Sequence, residues 1–286
     1  MTRTVCIIGA GELGGACADA LARRECTARV LIVDDAAGVA SGKALDIQQA
    51  GAIAGLHTRL EGTADLSRVT ACDVCVIADR AGRPSSEWQG DEALALIQRL
   101  MPYLGTAPLV CAGSAQAGAM QLAAREARLQ RERLIGSAPE AFAAATRAIV
   151  AMEAGCSPSE VSLTMLGAPP AGFVVPWSDA SIGGYAIEQV LTPVQLTRID
   201  ARMARLWPPG PFALGAAAAR VVDAVIGSSR RAFCVLTVLG GEFGVRGRVG
   251  TLPAVLSTSG IVQTRVPRLN TRERVRVETA LTIRTM

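Results

Sequence analysis

Gly9-Ala10-Gly11-Glu12-Leu13-Gly14 stands between an apolar run, Thr4–Ile8, and a segment of helical pattern, Ala16–Arg23. A strand that turns on three glycines into a helix has few ways to fold. Gly9 makes the tight turn, Gly11 admits a diphosphate close to the backbone, and Gly14 lets the helix pack on the strand. The helix N-terminus supplies free amides and the positive end of its dipole. Glu12 and Leu13 complete the loop. The next strand, Arg29–Val33, ends in Asp34, 25 residues after Gly9. A carboxylate there accepts from ribose hydroxyls and repels a 2′-phosphate, which favours NAD over NADP. The candidate cofactor-binding residues are Gly9, Gly11, Glu12, Leu13, Gly14 and Asp34. A glycine turn that holds no ligand is the alternative.

The rest of the first half alternates strands and helices. Ser41–Ala50 reads as a helix, Thr58–Leu60 and Asp73–Ala78 as strands, and Asp91–Leu104 as a helix. Leu109–Ala112, a helix over Ala115–Arg128, and a strand over Arg133–Gly136 follow. That alternation predicts an α/β fold with a parallel sheet covered on both faces. Beyond Gly136–Pro139 the pattern changes. A helix (Glu140–Ala154), a strand (Glu160–Leu166), a Pro/Gly-rich loop (Gly167–Gly172) and a strand (Phe173–Pro176) lead to helices over Pro193–Leu206 and Ala213–Ile226. Strand-like segments at Ala232–Gly240, Gly244–Leu252 and Gly260–Val266 precede a last helix, Thr271–Ile283, with Asn270 and Glu273 as a capping pair. The expected division is a Rossmann-type dinucleotide-binding domain over 1–137 and an α+β domain over 138–286.

Composition excludes several classes. Lys43 is the only lysine and His57 the only histidine among 286 residues, so no polyhistidine metal site is available and no metal is expected. Cys72-Asp73-Val74-Cys75 resembles half of a zinc or redox motif, but it lies in what reads as one extended strand and has no second half. The eight cysteines read as free thiols of a reducing cytosol. No run approaches the roughly 18 apolar residues of a membrane span. Val5–Ile8 already reads as buried strand, so no targeting segment is expected and the cytoplasm is the expected compartment. A nucleic-acid reading has only Arg230-Arg231 and the arginines at 272, 274 and 276 behind it, and Glu273 and Glu278 interrupt the second cluster. A solvated face fits them better than a nucleic-acid surface.

Over nearly its whole length the chain resembles the lactate/malate dehydrogenase family. The resemblance runs through Cys6–Gly15, Gly42-Lys43-Ala44-Leu45-Asp46, Gly62-Thr63 with Asp65, and Trp177-Ser178 through Gly183-Gly184. It continues in Gly241-Glu242-Phe243-Gly244 and Leu252-Pro253 with Val255-Leu256. It implies that family's fold, NAD as cofactor, and a homo-oligomer, dimer or tetramer. It also implies oxidation of a 2-hydroxy acid by a histidine, an orienting aspartate, a carboxylate-clamping arginine and a second arginine on a loop.

At the positions that resemblance assigns to this chemistry, other residues stand. Pro169 falls on the histidine, Phe142 on the aspartate, Ala145 on the clamp, and Trp88 at or near the loop arginine, while Ser114-Ala115 replaces an Asn-Pro. Asp79 takes the place of a glycine that lies against the cofactor, either facing the diphosphate or turning outward to Arg80 or Arg83. Catalytic residues are therefore expected to be none. The leading expectation is a non-catalytic, NAD-binding scaffold or regulatory homologue with an unidentified protein partner. In it Trp88 would bury against Phe142, and no arginine of the Glu140–Ala154 helix would reach the cleft. The alternative is an NAD-dependent oxidoreductase of a less anionic substrate, using Glu140, Asp79 or Ser114 for proton transfer.

Overall fold

The computed structural model describes residues 3–82, 84, 86–169 and 172–282. In chain order the first half runs β1 (Thr4–Ile8), α1 (Glu12–Arg24), β2 (Arg29–Val33), α2 (Ala37–Ala54), β3 (Arg59–Thr63) and β4 (Val74–Ile77). A short hairpin follows, β5 (Asp79–Arg80) and β6 (Ser86–Glu87), then α3 (Gly90–Leu104), β7 (Leu109–Cys111), α4 (Ala117–Arg125) and β8 (Leu134–Gly136). The second half comprises α5 (Ala138–Ala154), β9 (Val161–Ser162), β10 (Leu166–Ala168), β11 (Gly172–Val174), β12 (Ser181–Ile182) and β13 (Tyr185–Ala186). It ends with α6 (Ile187–Val190), α7 (Pro193–Met203), α8 (Pro211–Ile226), β14 (Ala232–Gly240), β15 (Arg246–Ser257), β16 (Gly260–Thr264) and α9 (Thr271–Thr282).

Six strands lie parallel in the order β3-β2-β1-β4-β7-β8. The order reverses between β1 and β4, where Ile8 pairs with both Val33 and Ile77. Such a switch point opens a crevice beyond the carboxyl ends of the strands. Successive residues of β1 explain why both faces are covered. Val5 and Ile7 pack with Leu13, Cys17 and Leu21 of α1 and with Val221 and Val225 of α8. Cys6 and Ile8 pack with Ile97 and Leu100 of α3 and Met120 of α4. Each large side chain so buried contributes about 1.5–3 kcal/mol relative to exposure. The sheet then continues without a break into antiparallel β14, β15, β10 and β11, joined at Leu236↔Gly136. Helix α8, from the second half, lies on α1 so closely that a Cβ at Gly215 would meet the α1 backbone at Ala16 and Cys17.

The α/β class and the order of the expected elements agree with the sequence, and the structure adds the β5/β6 hairpin and β12, β13 and α6. Helix α1 begins at Glu12, directly on the glycine loop, rather than at Ala16. Helix α4 is shorter than expected because Gln116 bonds across its start to Gly113 and Ala78, and Arg128 has left-handed backbone (φ 52°). The strand expected over Glu160–Leu166 divides into β9 and β10, which join different sheets. Cys72 and Asp73 precede β4 rather than extending it, with the Asp73 amide bonded to the Thr4 carbonyl. Ile283 lies outside the described residues. No helix among the described residues is long and apolar enough to cross a membrane.

Candidate functional site

The crevice at the β1/β4 switch point is built first by the glycine loop. Gly9 has φ 109°, a conformation costly to any other residue, and its amide donates to the Val33 carbonyl at 2.7 Å. Gly11 caps α1 in extended conformation with no side chain to satisfy the first-turn amides. Those amides find a partner in a carboxylate from β5. Leu13 N donates to Asp79 Oδ2 at 3.1 Å, and Gly14 N to Asp79 Oδ1 at 2.8 Å. Gly11 N donates to the Asp79 carbonyl at 3.0 Å. Asp79 is 4% exposed. The free amides and positive dipole end of a helix N-terminus attract an anion, and here the chain supplies its own. A Cβ on Gly11 would collide with that carboxylate, and one on Gly14 with the Gly9 carbonyl. Of the two orientations open to Asp79, the inward one is found. Glu12 is exposed in the first turn.

Asp34, at the end of β2, is also buried. Its Oδ2 accepts from Ala10 N at 2.8 Å and Ala81 N at 2.9 Å, and its Oδ1 from Ala36 N at 2.9 Å. It therefore ties the glycine loop, the β2–α2 turn and the hairpin together. A cavity of about 250 Å³ adjoins it, lined in part by Val33, Asp35, Leu66, Trp88 and Arg99. Lys43, from α2, donates to the Gly11 carbonyl and holds the loop from behind.

The hairpin carries a second carboxylate that the sequence reading did not single out. Glu87 pairs with Asp79 across β5 and β6. Its Oε1 accepts from Ser114 N at 3.0 Å and Ser114 Oγ at 3.2 Å, and its Oε2 from Ala115 N at 2.8 Å. Gly113 leaves room for it, since a Cβ there would collide with the carboxylate. Trp88 follows at once and lies against Gly9, with the Arg80 guanidinium 5.8 Å from its ring centroid and Arg80 paired to Glu92 at 2.7 Å.

The expected contact between Trp88 and Phe142 is therefore not formed, because the hairpin delivers Trp88 to the glycine loop. Phe142 packs instead with Phe173 (centroids 4.6 Å apart) and edge-on to Trp207 (5.9 Å), and the latter two are 4.9 Å apart. Ala145 lies on the same side of α5, and Pro169 is buried in the turn after β10. Arg147 sits on the opposite side of the helix, at 3.0 Å from Glu140, whose carboxylate also accepts from Cys234 N at 3.1 Å and faces Arg220 at 3.5 Å. Neither Arg147 nor Arg80 turns toward Phe142, and Arg83 lies outside the described residues. Glu140 lines a cavity of about 510 Å³ with Arg147, Arg220 and Arg231, and half-buried Ser114 donates to Glu87. His57 lines a cleft with Arg3, Glu25 and Thr58 at the amino ends of the strands, away from the glycine loop.

Among the described residues no cluster of His, Cys, Asp and Glu is arranged to hold a metal ion. The cysteines are free thiols. Cys6 and Cys75 are register partners on β1 and β4.

No family model matches the chain. Its similarity to known proteins nonetheless runs end to end. It is 30% identical to a malate dehydrogenase from Cytophaga hutchinsonii, over 96% of this chain and 94% of that protein. Among solved structures, malate dehydrogenase from Salinibacter ruber superposes with a TM-score of 0.87 at 22% identity, over 97% of this chain and 94% of that one. The lactate dehydrogenase of Cryptosporidium parvum, complexed with lactic acid and nicotinamide adenine dinucleotide, gives 0.87 at 21% identity, over 98% and 95%. Strand order, the glycine loop at the switch point and full-length identity to an enzyme of this kind lead to one assignment: the chain belongs to the lactate/malate dehydrogenase family.

Proposed function

We propose that this chain is a non-catalytic member of its family, a NAD(H)-binding scaffold or regulatory homologue without hydroxy-acid dehydrogenase activity. The observation that carries the proposal is the packing of Phe142 into Phe173 and Trp207, at the position where the family resemblance calls for an orienting carboxylate. An aromatic side chain cannot orient an imidazole, and Pro169 has no proton to give. Ala145 offers no cation, so a substrate carboxylate brought to this face of α5 would be desolvated without a partner, at a cost of several kcal/mol. An acid/base group alone is typically worth a factor of about 10²–10⁴ in rate.

The dinucleotide reading is supported by the glycine loop, the start of α1 on it, and Asp34 beside an open cavity. The cofactor, when bound, supplies hydride chemistry. The chain's own residues would hold it: the α1 amides toward the diphosphate and Asp34 toward the ribose, where its charge disfavours a 2′-phosphate. Asp79 stands on those same α1 amides and has to give way. We propose a dimer or tetramer as its working form, to which the exposed apolar residues Val39, Leu45 and Ile53 of α2 and Phe212 of α8 lend support. Steady-state assays test the proposal: no oxidation of lactate or malate with NAD is expected, and turnover at an ordinary dehydrogenase's rate would overturn it.

A further inference from the structure

Asp79 and Glu87 face each other at the base of one hairpin, and each places its carboxylate on the backbone of a different wall of the crevice. Asp79 takes Leu13 N and Gly14 N on the β1–α1 side. Glu87 takes Ser114 N and Ala115 N on the β7–α4 side. The hairpin base thus bridges the carboxyl end of β4, across the mouth of the switch point. Glycines on both walls make this possible: side chains at Gly11 or Gly113 would occupy the volume the carboxylates fill. Trp88 closes over Gly9 next to them. A loop left open for an incoming diphosphate would present unpaired amides at α1, and none of the amides that Asp79 reaches is unpaired.

We infer that Asp79 and Glu87 are internal occupants of the nucleotide groove, so that a dinucleotide enters only by displacing the Asp79 carboxylate from the α1 amides. The inference rests on the dinucleotide reading above and adds a gate to it. A diphosphate and a buried carboxylate cannot share two amides, since both are anions and both need the same donors. The groove-open form is therefore the minor one in the free protein, and apparent affinity falls by its fractional population. Glu87 holds the hairpin down and contributes to the same closed population without touching α1. Adenosine has no diphosphate, and its affinity is set by the Asp34 cavity rather than by Asp79.

Calorimetric titration of the full-length protein with NAD and, separately, with adenosine tests this, using wild type, Asp79→Gly, Asp79→Asn and Glu87→Gln. Thermal melts of each variant confirm that it is folded. The expected result is a tightening of NAD binding by about tenfold or more in Asp79→Gly. Asp79→Asn and Glu87→Gln should shift it the same way by less, with adenosine affinity unchanged throughout. Equal NAD affinity in wild type and in all three folded variants would overturn the gate and leave the dinucleotide reading standing. NAD binding by none of the four proteins would overturn the reading, and the gate with it.

Discussion

Asp34 carries three backbone amides on one carboxylate, and that sets what its loss would do. Asp34→Ala strands the buried amide of Ala10, where an unsatisfied donor costs about 1–3 kcal/mol, and removes the acceptor of the part-buried bonds from Ala36 and Ala81. We predict a loss of stability of roughly 2–4 kcal/mol in urea unfolding, with the preference for NADH over NADPH abolished in the protein that remains folded. A second carboxylate gives a pH dependence. Glu61 accepts from Arg68 at 2.7 Å and Arg29 at 2.8 Å, and its carboxyl is held below its ordinary 4.5, first by Arg68 and then by Arg29, against partial burial. A depressed folded-state pKa stabilises above the unfolded value and loses that contribution as pH falls through the folded one. Glu61→Gln should therefore cost roughly 0.5–1 kcal/mol at neutral pH and nothing in strong acid, as measured by denaturant midpoints. Among the thiols, Cys72 is pulled below its ordinary value, first by neighbouring Cys6 and then by Cys75. Burial pushes Cys17, Cys111 and Cys234 up to about 12. Cys72 is half-buried and those three are buried, so brief alkylation of the native protein, read by mass spectrometry, should label Cys72 first.

At the scale of elements, what could be read from the sequence was whatever local chemistry decides. The Asn270/Glu273 pair is a reciprocal cap: Glu273 N donates to Asn270 Oδ1 at 2.9 Å and Asn270 N to Glu273 Oε2 at 3.1 Å. Glu273 also accepts from Ser178 N and Oγ, fastening α9 to the loop after β11. Asn270→Ala is expected to cost about 0.5–2 kcal/mol, and Glu273→Ala more, since it also leaves Ser178 without a partner. The glycine loop was equally readable, because strand, turn and helix meet within a few residues. The hairpin was not. Its acids gain partners at Leu13, Gly14, Ser114 and Ala115, far away in sequence, so nothing local marks Glu87 as more than a surface residue. The available signal was Asp79 in a glycine's place, with a second acid eight positions on and Gly82 and Pro84 between. The aromatic partners of Phe142 were hidden for the same reason, since Phe173 and Trp207 approach it only through tertiary packing.

For the whole molecule, one sheet runs from the dinucleotide half into the second, and α8 returns to cover α1. The scaffold of the family is thereby intact, and the proposed reading changes only its centre. On that reading two properties come apart: the fold depends on the strands and their covering helices, whereas the chemistry would depend on a few side chains at 88, 142, 145 and 169, the positions the family resemblance assigns to it. A single-turnover experiment reads that separation with the least intervening machinery. Protein in excess over NADH is mixed with oxaloacetate, and then with pyruvate, while the reduced nicotinamide absorbance is followed. The predicted result is no decay beyond that of a protein-free control over many minutes. Decay of a stoichiometric amount of NADH on the timescale of an ordinary dehydrogenase would contradict it, and would return the chain to the catalytic members of its family.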